Sequence, residues 1–300
     1  MPVISLIAAP GRLDVSLVTA LRNAWGGTEA VWLSEGEAAD FAVEIVPDNA
    51  EAVRADLDRD GIDLNVVPEA GRRKKMLLAD MDSTMIRQEC IDELAAEAGV
   101  GERVSQITAR AMNGELDFEG ALRERVGLLA DLPAETIDRV LETRISYMPG
   151  GRALVATMKA QGATAVLVSG GFTAFAARVA ETLGFDEARA NVLEIADGRL
   201  TGTVAEPILG RAAKVAALEE VSARLGIGHA DVLAVGDGAN DLGMLGMAGM
   251  GVALHAKPVV AAECDFRVNH GDLTALLYLQ GYRREEFAVQ GLRPVSLHVE

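Results

Sequence analysis

Three short apolar runs, each ending in polar residues, do most to restrict the folds open to this 300-residue chain. Leu77-Leu78-Ala79 leads into Asp80-Met81-Asp82-Ser83-Thr84. Val166-Leu167-Val168 leads into Ser169-Gly170-Gly171. Val232–Val235 leads into Gly236-Asp237-Gly238-Ala239-Asn240-Asp241. Stretches with helical periodicity separate them, at Ala153–Ala160, Thr173–Leu183 and Ala212–Leu225. Strands alternating with helices predict a parallel sheet with helices on both faces. In such a sheet the polar ends collect at the carboxyl edge, where ligands bind. The expected class is α/β with a Rossmann-like core.

The flanking segments complete the plan. Residues 87–146 contain no convincing strand and read as helices at Cys90–Ala98, Arg103–Met112, Phe118–Leu129 and Ala134–Arg144. They predict a helical cap, about 87–147, inserted after the first core strand. Ala190–Ile195 and Gly198–Val204 read as a strand pair. Residues 1–72 follow the order β-α-β-β-α-β of a ferredoxin-like, ACT-like domain. Its strands are expected at Val3–Ala8, Ala30–Leu33, Phe41–Val46 and Leu64–Val67. The charged stretch Gly71–Lys75 marks the boundary, and residues 73–300 form the second domain.

Composition removes several classes. The net charge is −17, with 45 acidic against 28 basic side chains and 4% aromatics. Nucleic-acid binders need a basic face and stacking aromatics, so no nucleic-acid partner is expected. The apolar run Leu242–Leu254 carries four glycines and is too short to span a bilayer. Cys90 and Cys264 form no disulfide framework, and no basic start precedes the first apolar run, so a cytoplasmic protein is expected.

The polar ends carry the chemistry. Asp80 and Asp82 are two apart on a strand, so their side chains point the same way. Two carboxylates that close repel unless a cation or shared proton compensates. Asp237, Asn240 and Asp241 crowd oxygen ligands into one turn, which suits a hard cation such as Mg2+. Ser169, Gly170 and Gly171 precede a helix, where backbone N–H groups receive an anion. Lys214 offers a point charge to a phosphate.

These signatures, in this order, resemble the haloacid dehalogenase superfamily of phosphotransferases. Asp80–Thr84 followed by Glu89, and Arg110–Phe118 continuing to Leu122–Val126, are similar to the phosphoserine phosphatase family within it. The resemblance covers roughly residues 75–285. It implies a Mg2+-dependent phosphomonoesterase that hydrolyses O-phospho-L-serine through an aspartyl-phosphate. Asp80 would be the nucleophile and Asp82 the acid and base. The metal would sit between Asp80, the backbone carbonyl of Asp82 and Asp237, supported by Asp241 and Asn240. Ser83, Ser169, Gly170, Gly171 and Lys214 would hold the phosphoryl oxygens. Glu89 would face the substrate ammonium, Arg125 its carboxylate, and Met112 and Phe118 would close the pocket. The ACT-like reading makes a homodimer an expectation.

Alternatives remain at this level. Another small amino-acid phosphate, such as phosphohomoserine, would use the same charges. A receiver-type phospho-acceptor domain shares the aspartates and lysine but lacks a helical insert after its first strand. The acidic run Asp56–Gly61 starts like a calcium loop, yet Val67 stands where the closing Glu is required. It reads as a helix end. His229, His255, His270 and His298 have no metal-ligand spacing.

Overall fold

The computed structural model describes residues 1–112 and 115–288. The chain opens with β1 (Pro2–Ala8), α1 (Val15–Ala24), β2 (Val31–Ser34), β3 (Ala38–Ala42), α2 (Ala50–Arg59) and β4 (Ile62–Pro68). Asp14 caps α1 by accepting the Ser16 N–H at 2.6 Å. The strands form an antiparallel sheet in the order β2-β3-β1-β4. Ile4, Leu6 and Leu64 face α1 and α2, whereas Val3, Ile7, Ala38 and Val67 face the rest of the molecule. This period of two along β1 makes both faces of the small sheet apolar.

The second sheet contains β5 (Met76–Ala79). Four helices follow: α3 (Cys90–Glu97), α4 (Gly101–Met112), α5 (Phe118–Gly127) and α6 (Glu135–Thr143). Then come α7 (Gly151–Ala160), β6 (Thr164–Phe172), α8 (Thr173–Leu183), β7 (Glu187–Asn191), and a hairpin of β8 (Leu193–Ala196) and β9 (Arg199–Val204). The chain closes with α9 (Arg211–Leu225), β10 (Val232–Gly236), α10 (Leu242–Met247), β11 (Met250–Leu254), α11 (Pro258–Ala262), β12 (Phe266–Val268) and α12 (Ala275–Leu279). The six core strands are parallel in the order β12-β11-β10-β5-β6-β7. Leu77, Ala79, Leu167 and Val235 share a cluster with residues of α7, α8 and α12. Met76, Leu78, Val168 and Ala234 pack with α9 and α10. Burial on both faces explains why these strands read as unbroken apolar runs.

Two expected strands differ from those observed. Ala190–Ile195 is not one strand. Ala190 and Asn191 end β7 in the parallel sheet, the chain turns at Val192, and only Leu193–Ala196 pairs with β9. No Gly or Pro marks that turn, so an extended run hides a change of sheet. The strand expected at Phe41–Val46 begins earlier, at Ala38, and ends at Ala42. The Glu35–Gly36 turn, with Gly36 at φ 69°, brings Ala38 opposite Ser34. Ile45, apolar but 80% exposed, lies beyond the sheet.

The charged boundary is turned inward. Arg72 donates to Asp40 at 2.7 Å and to the carbonyls of Leu279 and Tyr278. Lys74 donates to the carbonyls of Gly71 and Ala230. The edge strand β12 is sealed by side chains of β4. Asn65 exchanges hydrogen bonds with both the carbonyl and N–H of Arg267, at 2.8 and 2.9 Å. A bare sheet edge invites intermolecular pairing, and the N-terminal domain covers this one.

Candidate active site

Each polar end reaches the same edge of the sheet, because β5, β6 and β10 are parallel neighbours. Lys214, in the first turn of α9, is 1% exposed and forms salt bridges of 2.6 Å with both Asp80 and Asp241. Burial disfavours its charge, but the two carboxylates more than compensate and raise its pKa. Asp80 also accepts the N–H of Met81 at 2.8 Å. Asp241 fills its second oxygen with the Gly238 N–H at 3.0 Å. A Cβ at Gly236 would lie 2.4 Å from the Asp241 carboxyl carbon, so that position needs glycine.

Asp82 sits differently. Its carboxylate accepts the Cys90 N–H at 3.0 Å and the Ser169 hydroxyl at 3.2 Å. Burial pushes it up to about 7, and the charges of Glu89 and Asp80 add to the effect. A Cβ at Gly171 would come within 2.6 Å of Asp82 Oδ2. The two aspartates therefore occupy opposite environments. One is paired with a buried lysine, and the other is poised to carry a proton near neutral pH.

Carboxylate oxygens of Asp80, Asp237 and Asp241 lie within 4.8 Å of one another, and these acidic groups could hold a metal ion. Asp237 accepts the buried Thr84 hydroxyl on Oδ1 at 3.1 Å, and its Oδ2 has no hydrogen-bond partner among the described residues. Burial and the charge of Asp80 push Asp237 up to about 6, and the same causes push Asp241 up to about 7. Hard oxygen donors that repel one another in a half-dry site fit a divalent cation. These carboxylates bind protons more readily folded than at their usual value of 3.8. Their favourable contribution is complete below about pH 4 and lost as pH rises through about 6 to 7. Metal-free protein should therefore melt higher at pH 5 than at pH 8, and an added divalent cation should raise the pH 8 value. Chelated protein that melts higher at pH 8 would contradict this.

The cap supplies the remaining predicted residues. Ile86 pairs with Tyr147 where the chain enters and leaves it. Glu89 precedes α3 and accepts the Ser83 hydroxyl at 2.7 Å. Burial of its carboxyl end raises its pKa, as do the charges of Asp80 and Asp92. Ser83 thus faces Glu89 here, held at φ 55°. Arg125 lies on α5, with Nε donating to the Ala121 carbonyl at 3.2 Å. Burial lowers its pKa against the pull of Asp92 and Glu89. The Phe118 ring covers the glycines of two core loops. A Cβ at Gly170 or Gly210 would lie 3.1 or 3.0 Å from it. Arg123 of α5 bridges to Glu206 at 2.8 Å. Asn240 lies over Gly238, where a Cβ would meet its Oδ1 at 2.3 Å. Met112 ends α4, and its side chain falls outside the described residues, as does His298. The Cys90 thiol is buried, which raises its pKa well above the usual value.

Sequence reasoning missed Asn191. Its side-chain amide donates to the carbonyls of Gly170 and Leu209, at 2.8 and 3.1 Å, and its oxygen accepts the Leu209 N–H at 2.7 Å. It ties the Ser169–Gly171 loop to the loop before α9 and Lys214. No motif marks it, because its partners lie 18 and 21 residues away. Asn191→Ala should orphan three backbone groups and cost about 1–3 kcal/mol. Any turnover at this site should fall about tenfold or more, equally for every substrate. An effect confined to one substrate would remove this positioning role.

The sequence profile described as haloacid dehalogenase-like hydrolase matches residues 77–246, which include Asp80, Ser169, Lys214 and Asp237–Asp241. The chain belongs to the haloacid dehalogenase-like hydrolases. Within this family it is 46% identical over 228 residues to a phosphoserine phosphatase of Streptomyces coelicolor, covering 75% of this chain and 55% of that one. It is thus similar to little more than half of that relative. A probable phosphoserine phosphatase of Schizosaccharomyces pombe is 44% identical over 231 residues, covering 76% of this chain and 77% of that one. The fold is similar to that of a haloacid dehalogenase family hydrolase from Salmonella enterica serovar Typhi. There the TM-score is 0.84 and the identity 30%, over 93% of this chain and 97% of the other. A substrate-bound phosphoserine phosphatase complex superposes with a TM-score of 0.64 at 42% identity, over 68% of this chain and 97% of that one.

Proposed function

We propose that this family member is a Mg2+-dependent phosphoserine phosphatase, which releases L-serine and phosphate from O-phospho-L-serine. The observation that carries the chemistry is the contrast between Asp80, ion-paired to Lys214, and Asp82, held near neutrality beside Ser169. Asp80 attacks phosphorus to form an aspartyl-phosphate. Asp82 gives its proton to the departing seryl oxygen and later takes one from water. Ser169, Gly170, Gly171 and Lys214 would receive the phosphoryl oxygens, joined by Ser83 when its hydroxyl turns from Glu89, and phosphoryl transfer depends mainly on such positioning and charge. Asp80 and Asp237, with the Asp82 carbonyl, would hold the cation, and Asp241 and Asn240 would support it. The bound cation supplies positive charge that lets an anionic nucleophile approach an anionic phosphate.

Substrate choice rests on the cap. Glu89 and Arg125 present opposite charges, as a substrate with an ammonium and a carboxylate requires. Met112 and Phe118 would close the pocket above them. The names of the relatives support the same substrate. Phosphate release from phosphoserine, phosphohomoserine and an aryl phosphate, with and without Mg2+, tests the reading. Equal rates on all three would reduce it to a general phosphomonoesterase, and preference for phosphohomoserine would transfer the name. Arg125→Ala should raise the KM for phosphoserine about tenfold or more and leave the aryl phosphate nearly unchanged. An equal loss on both would remove its carboxylate role.

A further inference from the structure

A cavity of about 560 Å3 opens between α2 and β4 of the N-terminal domain and the β11–β12 edge of the core. Two strands, β10 and β11, separate β12 from β5 and its Asp80. Arg54, Arg267, His255, Asp58, Ile62 and Pro258 are among the lining residues.

The charges there are unevenly satisfied. Asp58, Asp63 and His270 bring ligand-type atoms within 4.8 Å of one another, as a cation site would. Their donors are already engaged. Asp63 is 4% exposed and accepts the backbone N–H groups of Asn269, His270 and Gly271, at 2.7, 3.0 and 3.1 Å. Asp58 accepts the Asn269 amide at 2.8 Å and pairs with His270 at 3.0 Å. Glu51 pairs with Arg54 at 2.8 Å.

Arg267 is less well matched than Arg54. Arg54 is fixed by its Nε to the Leu64 carbonyl and Arg267 by its Nε to the Cys264 carbonyl. Arg267 makes no ion pair among the described residues. Burial lowers the pKa of Arg54, and the charge of Arg267 presses it the same way against the pulls of Glu51 and Asp265. Two anchored guanidiniums thus share one recess, in a chain whose net charge is −17. Planar forks of this kind match carboxylate and phosphate oxygens.

We propose that this cavity binds a small organic anion, whose phosphate or carboxylate group bridges Arg54 and Arg267. Its body would lie along Ile62, Ala261 and Pro258. Occupancy would join the two domains at the β12 edge.

Calorimetry on the full chain in chelator tests this, with inorganic phosphate and succinate as separate probes. At least one should bind and raise the melting temperature with concentration. Arg267→Gln should weaken that binding about tenfold or more. Ala262→Phe, which narrows the cavity and leaves both charges, should do the same, and Asp80→Asn should not. A stronger response to phosphate assigns a phosphorylated ligand, and a stronger response to succinate a carboxylate. Both cavity variants should keep the wild-type rate of phosphate release. Failure of both probes at millimolar concentration, or unchanged binding in Ala262→Phe, would overturn the proposal whatever the outcome at the active site.

Discussion

Asp80→Asn is expected to lower phosphate release by about 10,000-fold or more, the scale seen when a covalent nucleophile is removed. The amide keeps the shape and can still accept the Met81 N–H, and Lys214 keeps Asp241 as its partner, so a folding defect is not expected. In the proposed mechanism it loses the anionic oxygen that would form the bond to phosphorus. The variant should also fail to take up label from a phosphorylated substrate after acid quench, whereas the wild type should yield an acid-stable phosphoenzyme. Retention of more than about a tenth of the activity would remove the covalent route. Asp82→Asn separates the two roles. It should still form some phosphoenzyme with a good leaving group, since an activated phenolate needs little proton donation.

Lys214→Met should be the most damaging single change to stability at this site. It keeps most of the side-chain volume but strands two buried carboxylates, Asp80 and Asp241, that share one ammonium at 2.6 Å. Breaking one partner out of a buried charge cluster costs about 3–5 kcal/mol. Chemical denaturation of the metal-free variant reads that loss directly. Millimolar Mg2+ should recover part of it, since a cation can take over the pairing of the same carboxylates. Under the proposed mechanism, activity should fall about 100-fold or more even where folding is restored, because the cation that would meet the phosphoryl charge is gone. A variant as stable as the wild type without metal would show that Asp80 and Asp241 are compensated by something else.

The motifs were legible because they are local. In Asp80-Met81-Asp82 the strand period alone puts both carboxylates on one side. Gly236 and Gly171 stand where a Cβ would strike Asp241 and Asp82, so the glycines of the motif follow from close approach. The helices of the cap were equally plain from periodicity, as was the β-α-β-β-α-β order of the N-terminal segment. Ala190–Ile195 reads as one strand for the converse reason, although its second half does pair with Arg199–Val204. Extended residues on either side of Val192 belong to different sheets, and partner choice is not written in the run itself.

By itself, then, the sequence determined the parallel core and the strand-end carboxylates, and it named the charged side chains of the cap. Period and turn chemistry act over a few residues and leave a readable trace. Only the tertiary structure decided that Lys214 bridges Asp80 and Asp241, that Asn191 ties two loops together, and that Phe118 lies over Gly170 and Gly210. It also decided that Arg72, Asp63 and Asn65 lock the N-terminal domain against the core. Those contacts join residues far apart in the chain. Their strength comes from burial and from hydrogen bonds satisfied across the fold, which no local spacing records.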